Sequence, residues 1–140
     1  MTDYRLEFGW EGDGGLGERL IREVIDGDKT ATCAPRSDYT EEELAEVVGS
    51  VGEVVDVVDA DDVPRCRVRM LAVYETTFGL PAPGVVRGEG FDDAEAFRDD
   101  HRDAWAEEME EEGNPLSDDT VLVVEEFELV EVVDAETRRP

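Results

Sequence analysis

The only lysine in the chain falls inside Gly27-Asp28-Lys29-Thr30-Ala31-Thr32-Cys33, and the other twelve of its thirteen basic residues are arginine. An ammonium kept at one point, just after a helix-stopping glycine and beside two threonines, is a candidate for work that needs a cation next to hydroxyls. The chemistry open to such a group is stabilisation of charge developing on a bound molecule. A plainer reading also fits: Lys29 as a solvated cation favoured by the helix dipole and Thr32 as an ordinary strand residue. In a regular strand Lys29 and Thr32, three apart, point to opposite faces. They converge on one site only if Lys29 still belongs to the turn or the strand is bulged.

The elements around this stretch must therefore place it. Leu16, Leu20, Ile21, Val24 and Ile25 recur at helical spacing, with Glu18, Arg19, Arg22 and Glu23 opposite, and Gly27 is placed to end that helix in the left-handed conformation. Thr30 to Ala34 is compatible with a strand that stops at Pro35. Upstream, Gly12, Gly14 and Gly17 match the spacing of a dinucleotide-binding loop. No second βαβ unit follows, and Asp13 would set a negative charge beside a pyrophosphate, so the segment reads as a turn.

Thr40 and Glu43 form a capping-box pattern for a short helix through Leu44, Val47 and Val48. Val51 to Val58 then reads as a strand, residues 59–62 as a turn, and Arg65 to Tyr74 as the returning strand. In the return, Cys66, Val68 and Met70 alternate with Arg65, Arg67 and Arg69, which gives one buried and one basic face. Cross-strand pairing with Asp and Glu accounts for the arginines without a ligand. A Gly/Pro-rich connection at 79–84 follows. Asp92 and Asp93 offer N-caps to a helix carrying Ala94, Phe97, His101 and Trp105. Gly113-Asn114-Pro115 breaks it, and Val121 to Val133 predicts one long strand or two bent ones split by Glu125 and Glu126. Residues 134–140 read as a frayed, flexible tail after a single domain over 1–133. This order lacks the alternation of a doubly wound sheet and predicts an α+β fold: a small, mainly antiparallel β-barrel with flanking helices.

Composition narrows the setting. The chain has 140 residues, 39 Asp and Glu against 13 Lys and Arg, and a net charge of −26. Its apolar residues come in periodic blocks, so this is an acidic coat on a folded domain and not disorder. At about 1 M salt the Debye length falls to roughly 3 Å and the repulsion between surface carboxylates is largely removed. The composition predicts a halophilic protein working in a salty cytoplasm, with an acidic mesophilic protein as the alternative. In such a medium, capture of nucleic acid through phosphates is weak, because affinity falls steeply with salt. Any nucleic-acid chemistry should then rest on stacking and hydrogen bonds inside a pocket. Cys33 and Cys66 lie far apart with no Cys-x-x-Cys, so neither a zinc site nor a disulfide is signalled, and no cofactor is expected. No basic, apolar leader and no stretch of about 20 apolar residues is visible, so a cytoplasmic location without membrane partners is expected.

With these residues placed, the chain resembles the ASCH family, whose fold is similar to the PUA RNA-binding domain. Three features carry the resemblance: Gly27, Lys29 and Thr32 as Gly-x-Lys-x-x-Thr; Val51 to Val55 with the return at Pro64 to Val68; and Gly88-Glu89-Gly90 leading into the helix with His101. It spans roughly residues 8 to 133. Arg87 departs from it, standing where a glutamate is common, and so does Phe97, where Trp is frequent. The resemblance implies a nucleoside- or RNA-binding pocket and, in one branch, amidohydrolase activity on N4-acetylcytidine with Lys29, Thr32 and Glu89 as catalytic residues. Thr30, Arg87 and His101 would be their ligand-binding neighbours. Thr32 would be the nucleophile, which needs a base. Lys29 could take its proton only with a pKa lowered from about 10.4. With its charge retained, Lys29 would stabilise an oxyanion and Glu89 would carry the proton. The resemblance leaves open ribonuclease-like activity and a non-catalytic RNA-interacting module, so the partner is a modified nucleoside or RNA. Trp10, Phe91 and Trp105 read as core residues, with base stacking as the alternative.

Overall fold

The computed structural model describes residues 4–133, and the stretch read as a C-terminal tail lies outside them. Its frame is one curled sheet, a half-barrel of five strands in the order β1-β3-β4-β5-β2. These are β1 (Leu6–Glu7), β2 (Ala31–Pro35), β3 (Val54–Val58), β4 (Pro64–Thr77) and β5 (Val121–Val132). The β1–β3 pair is parallel, and β3–β4, β4–β5 and β5–β2 are antiparallel. Four helices flank the sheet: α1 (Leu16–Asp26), α2 (Glu41–Gly49), α3 (Pro83–Gly88) and α4 (Ala94–Glu111), with a 3-10 turn at Arg36–Asp38. The α+β class is as the sequence predicts.

The predicted caps form. Thr40 and Glu43 exchange hydrogen bonds at the start of α2, and the Asp93 carboxylate accepts from Ala96 N–H at the start of α4. Ahead of α1, the Asp13 carboxylate accepts the amides of Trp10, Gly15 and Gly17 at 2.9–3.1 Å. These backbone bonds hold the Asp13 carboxyl below its ordinary range. The side chain thus occupies the amides a phosphate would need. Two readings change. Trp10 is 60% exposed, not core. The Gly/Pro connection runs into α3, which Pro83 can open because proline pre-sets the first helical turn.

β5 is one continuous strand. This is the first of the two forms the sequence allows, and opposite Glu126 and Phe127 the register shifts between Met70 and Ala72 of β4. That long strand serves two apolar clusters. One joins Ile21 and Val24 of α1 to Val57, Val68 and Phe127; the other joins Val85, Val86 and Phe97 of the helices to Ala31, Leu122 and Val124. With roughly 1.5–3 kcal/mol for each large apolar side chain buried, these clusters hold β2 and β5 rigidly. The basic side of β4 is paired as expected: Arg67 with Asp56 and Glu131, Arg69 with Glu128, Arg65 with Glu18 and Asp59.

Candidate active site

Gly27 ends α1 at φ 84°, in the left-handed region where a Cβ is penalised. The amides of Asp28 and Lys29 then both fold back onto Glu23 O, so Lys29 lies in the turn and not in β2. Thr30 is pinned on both sides, its N–H donating to Gly88 O and its carbonyl accepting from Phe127 N–H. Gly88 has to be a glycine for this approach, because a Cβ there would stand 2.5 Å from the Ala31 Cβ. The close contact delivers the next residue, Glu89, to Lys29.

Lys29 is 3% exposed. Its Nζ donates to Ala31 O at 2.8 Å and lies 3.4 Å from Glu89 Oε1, with the Phe8 ring centroid 5.9 Å away. The carbonyl and the carboxylate are both acceptors, so the geometry uses this nitrogen as a donor. Glu89 is shared further. Its Oε1 lies 3.2 Å from His101 Nε2, and its Oε2 accepts from Cys33 Sγ at 2.9 Å. His101 Nδ1 in turn faces Phe97 O at 2.8 Å. A carbonyl can only accept, so Nδ1 carries a proton, and the pair at Nε2 shares one more.

The charges follow. Burial opposes the His101 cation, but the hydrogen bond and charge of Glu89 more than reverse this and raise its pKa above the ordinary value. For Glu89, burial is likewise outweighed by His101, Lys29 and Cys33, and its carboxyl titrates below the usual range. Burial and the Glu89 charge push the Cys33 thiol well up. The cluster is a carboxylate held by three donors, with His101 stacked between Phe97 and Trp105 at centroid distances of 4.2 and 4.7 Å. Cys33, Glu89 and His101 also offer ligand atoms within 4.8 Å of one another. A divalent cation there would meet the Lys29 ammonium as a like charge on the same carboxylate, so hydrogen bonding describes the group better.

Thr32 is elsewhere. It lines an open cavity of about 510 Å³ bounded by β1, β2, the 3-10 turn and α2. Lys29, Glu89 and His101 are not on its wall. Cys33 and Phe8 belong to both, so the buried cluster lies directly behind them. Thr30 and Arg87 are exposed and line no part of the cavity. The structure thus brings Lys29, Glu89 and His101 together, sets Thr32 on the other side of Cys33, and leaves Thr30 and Arg87 at the surface.

One wall residue had no signal in the sequence beyond interrupting a valine run. Glu125 is 3% exposed, and it accepts from Tyr39 Oη at 2.8 Å and, through its other oxygen, from Tyr4 Oη. Burial raises its pKa despite the two tyrosines, which lower it. Among the described residues no cation pairs with it.

The ASCH domain family model matches residues 7–131, nearly the whole described chain. The chain belongs to the ASCH domain family. Solved structures agree on the fold of this ASCH domain. It is similar to protein EF3133 of Enterococcus faecalis, at 22% identity and a TM-score of 0.78 over 99% of this chain and 83% of that one. It is also similar to an ASCH domain from Lactobacillus crispatus, at 21% identity and a TM-score of 0.72 over 93% and 82%. A third similar structure, hypothetical protein PH0355, has 15% identity and a TM-score of 0.54 over 91% and 100%. No curated protein matches in sequence. ASCH domains have a PUA-like fold and are associated with RNA binding. No helix among the described residues is long and apolar enough to cross a membrane.

Proposed function

We propose that the chain is an amidohydrolase of the ASCH family acting on an N4-acylated cytidine, with Thr32 as nucleophile and Lys29 as the cation that stabilises the oxyanion. The observation that carries this reading is Thr32 on a cavity wall beside Cys33, whose thiol bonds the carboxylate of the buried Lys29–Glu89 pair. A cavity of about 510 Å³ suits a nucleoside, since small-ligand pockets run from about 300 to 1,000 Å³. Its lining carries Glu7, Asp38, Glu43, Glu46 and Glu125 against one cation, Arg5, which is itself paired with Asp62 at 2.7 Å. Such a wall repels a phosphate backbone and tolerates a neutral nucleoside, which favours the small substrate over an RNA strand.

In this reading Glu89 holds Lys29 in place and favours the protonated form of His101. The deciding experiment is incubation with N4-acetylcytidine in molar KCl, with cytidine release followed by chromatography. Turnover lost in Thr32→Ala and Lys29→Ala supports the reading. No turnover, with RNA oligomers retained at the same salt, replaces it with a non-catalytic RNA-interacting module.

A further inference from the structure

The amide-hydrolysis reading leaves one part without an owner. The Thr32 hydroxyl must give up a proton, and the departing amine nitrogen must receive one. Lys29 Nζ donates to Ala31 O and stands beside Glu89. Glu89 is engaged by Lys29, His101 and Cys33. An ammonium only donates, and both Glu89 oxygens are already engaged, so neither is placed to take the proton.

The β2–β5 ladder supplies another group. Thr32 and Glu125 are direct Cα partners in this antiparallel pair, and both line the cavity. Residues directly opposite in an antiparallel ladder project to the same face with Cβ atoms roughly 4.5–5.5 Å apart. Among the described residues the Thr32 side chain makes no hydrogen bond of its own, whereas Glu125 has each oxygen held by one tyrosine. A carboxylate oxygen accepts two hydrogen bonds, so each retains a free lone pair. The tyrosines fix the carboxylate without exhausting it.

We infer that Glu125 is the proton carrier for Thr32, an inference that rests on the amide-hydrolysis reading above. As the Thr32 oxygen bonds to the acyl carbon, its proton passes to Glu125. As the carbon–nitrogen bond breaks, Glu125 delivers that proton to the leaving nitrogen, and cytidine departs. Water then attacks the Thr32 ester, giving one proton to Glu125. That proton returns to the Thr32 oxygen as the ester bond breaks and the acid is freed. The sum is amide plus water to acid plus amine, with no other reactant.

The titratable groups around Glu125 are Tyr4 ahead of β1, Tyr39 after the 3-10 turn and Cys33 on β2, with Glu46 of α2 beyond Tyr4 and Asp38 beside Tyr39. The one cation lining the cavity, Arg5, is paired with Asp62. The raised carboxyl of Glu125 and the lowered one of Glu89 divide the two roles, a proton carrier and a fixed anion.

The test compares wild type, Glu125→Gln and Glu125→Asp on N4-acetylcytidine in molar KCl. The glutamine keeps one carbonyl oxygen to accept from a tyrosine and turns a donor amide toward the other, so its fold is checked by circular dichroism. Expected for Glu125→Gln is a loss in kcat of about 10²- to 10⁴-fold with KM nearly unchanged. Glu125→Asp should retain part of the rate. In the wild type the acid limb of kcat/KM should lie above the ordinary carboxylate range, and in Glu125→Gln the residual rate should lack that limb. A Glu125→Gln rate within about threefold of wild type would overturn the inference while leaving the hydrolase reading intact. So would a wild-type acid limb at the ordinary carboxylate value, a readout that survives if Glu125→Gln does not fold. A wild type without turnover removes both.

Discussion

Lys29 Nζ and Glu89 Oε1 lie 3.4 Å apart, with their side chains only 2% and 10% exposed. The two residues come from opposite ends of the motif pattern and meet because α3 ends on a glycine against Ala31. Their energetics are lopsided. Without Lys29, Glu89 still has His101 and Cys33 as donors; without the Glu89 charge, the buried Lys29 cation loses its counter-ion and the His101 cation loses its main support.

Glu89→Gln should therefore cost about 3–5 kcal/mol, as expected for a buried pair broken on one side. Lys29→Met should cost distinctly less, and the double variant should recover part of the Glu89→Gln loss. Urea unfolding at fixed high salt measures all three. Equal losses for the two single variants would show that His101 does not share the carboxylate.

Gly88→Ala tests how the pair is assembled. The added methyl meets the Ala31 Cβ at 2.5 Å, so α3 must withdraw from β2. Overpacking of this kind costs about 1–3 kcal/mol. Because Glu89 is the next residue, deacetylation should drop further than stability does. A variant with wild-type melting and rate would mean that the close approach is not needed.

The pH dependence has a definite sign. His101 has its pKa raised above the ordinary 6.5, so its contribution is complete below that value and is lost as pH rises through the folded-state pKa. Glu89 has its pKa lowered from the ordinary 4.5, so its contribution is present above that value and lost as pH falls through its own folded-state pKa. Melting temperature should thus decline above about pH 6.5 in the wild type and decline less in His101→Gln. Scanning fluorimetry in steps of pH at constant KCl checks it. Parallel curves for the two proteins would remove the Glu89–His101 coupling.

Salt should stabilise the fold. With 39 acidic and 13 basic residues, self-repulsion dominates until screening shortens from about 10 Å at 0.1 M to about 3 Å at 1 M. The melting temperature should climb across that range in KCl. A flat or falling curve would contradict the halophilic reading.

The legible part of the fold was what local chemistry decides. The capping box at Thr40, the Asp93 cap, the Gly27 stop and the alternation along Cys66, Val68 and Met70 all act over a few residues, and each forms as spacing predicts. The resemblance could name Lys29 and Glu89, sixty residues apart, and the sequence could state that Lys29 must stay out of the strand to share a site with Thr32. Which groups stand behind the wall and which stand on it depends on the β2–β5 register, a long-range property. Glu125 was invisible for that reason: in a valine-rich strand one acid reads as a solvent-facing interruption until its cross-strand partner is known. Trp10 reads as core by residue type, while the Asp13 turn carries it outward.

The central claim is that Thr32 bears the acyl group during turnover. Acid-quenched mixtures of protein and N4-acetylcytidine, digested and weighed by mass spectrometry, test it directly. The account predicts an acetyl group on the Thr32 peptide of the wild type and none in Thr32→Ala. Acetate released with the wild-type peptide unmodified at every quench time, and with Thr32→Ala keeping the wild-type rate, would contradict it.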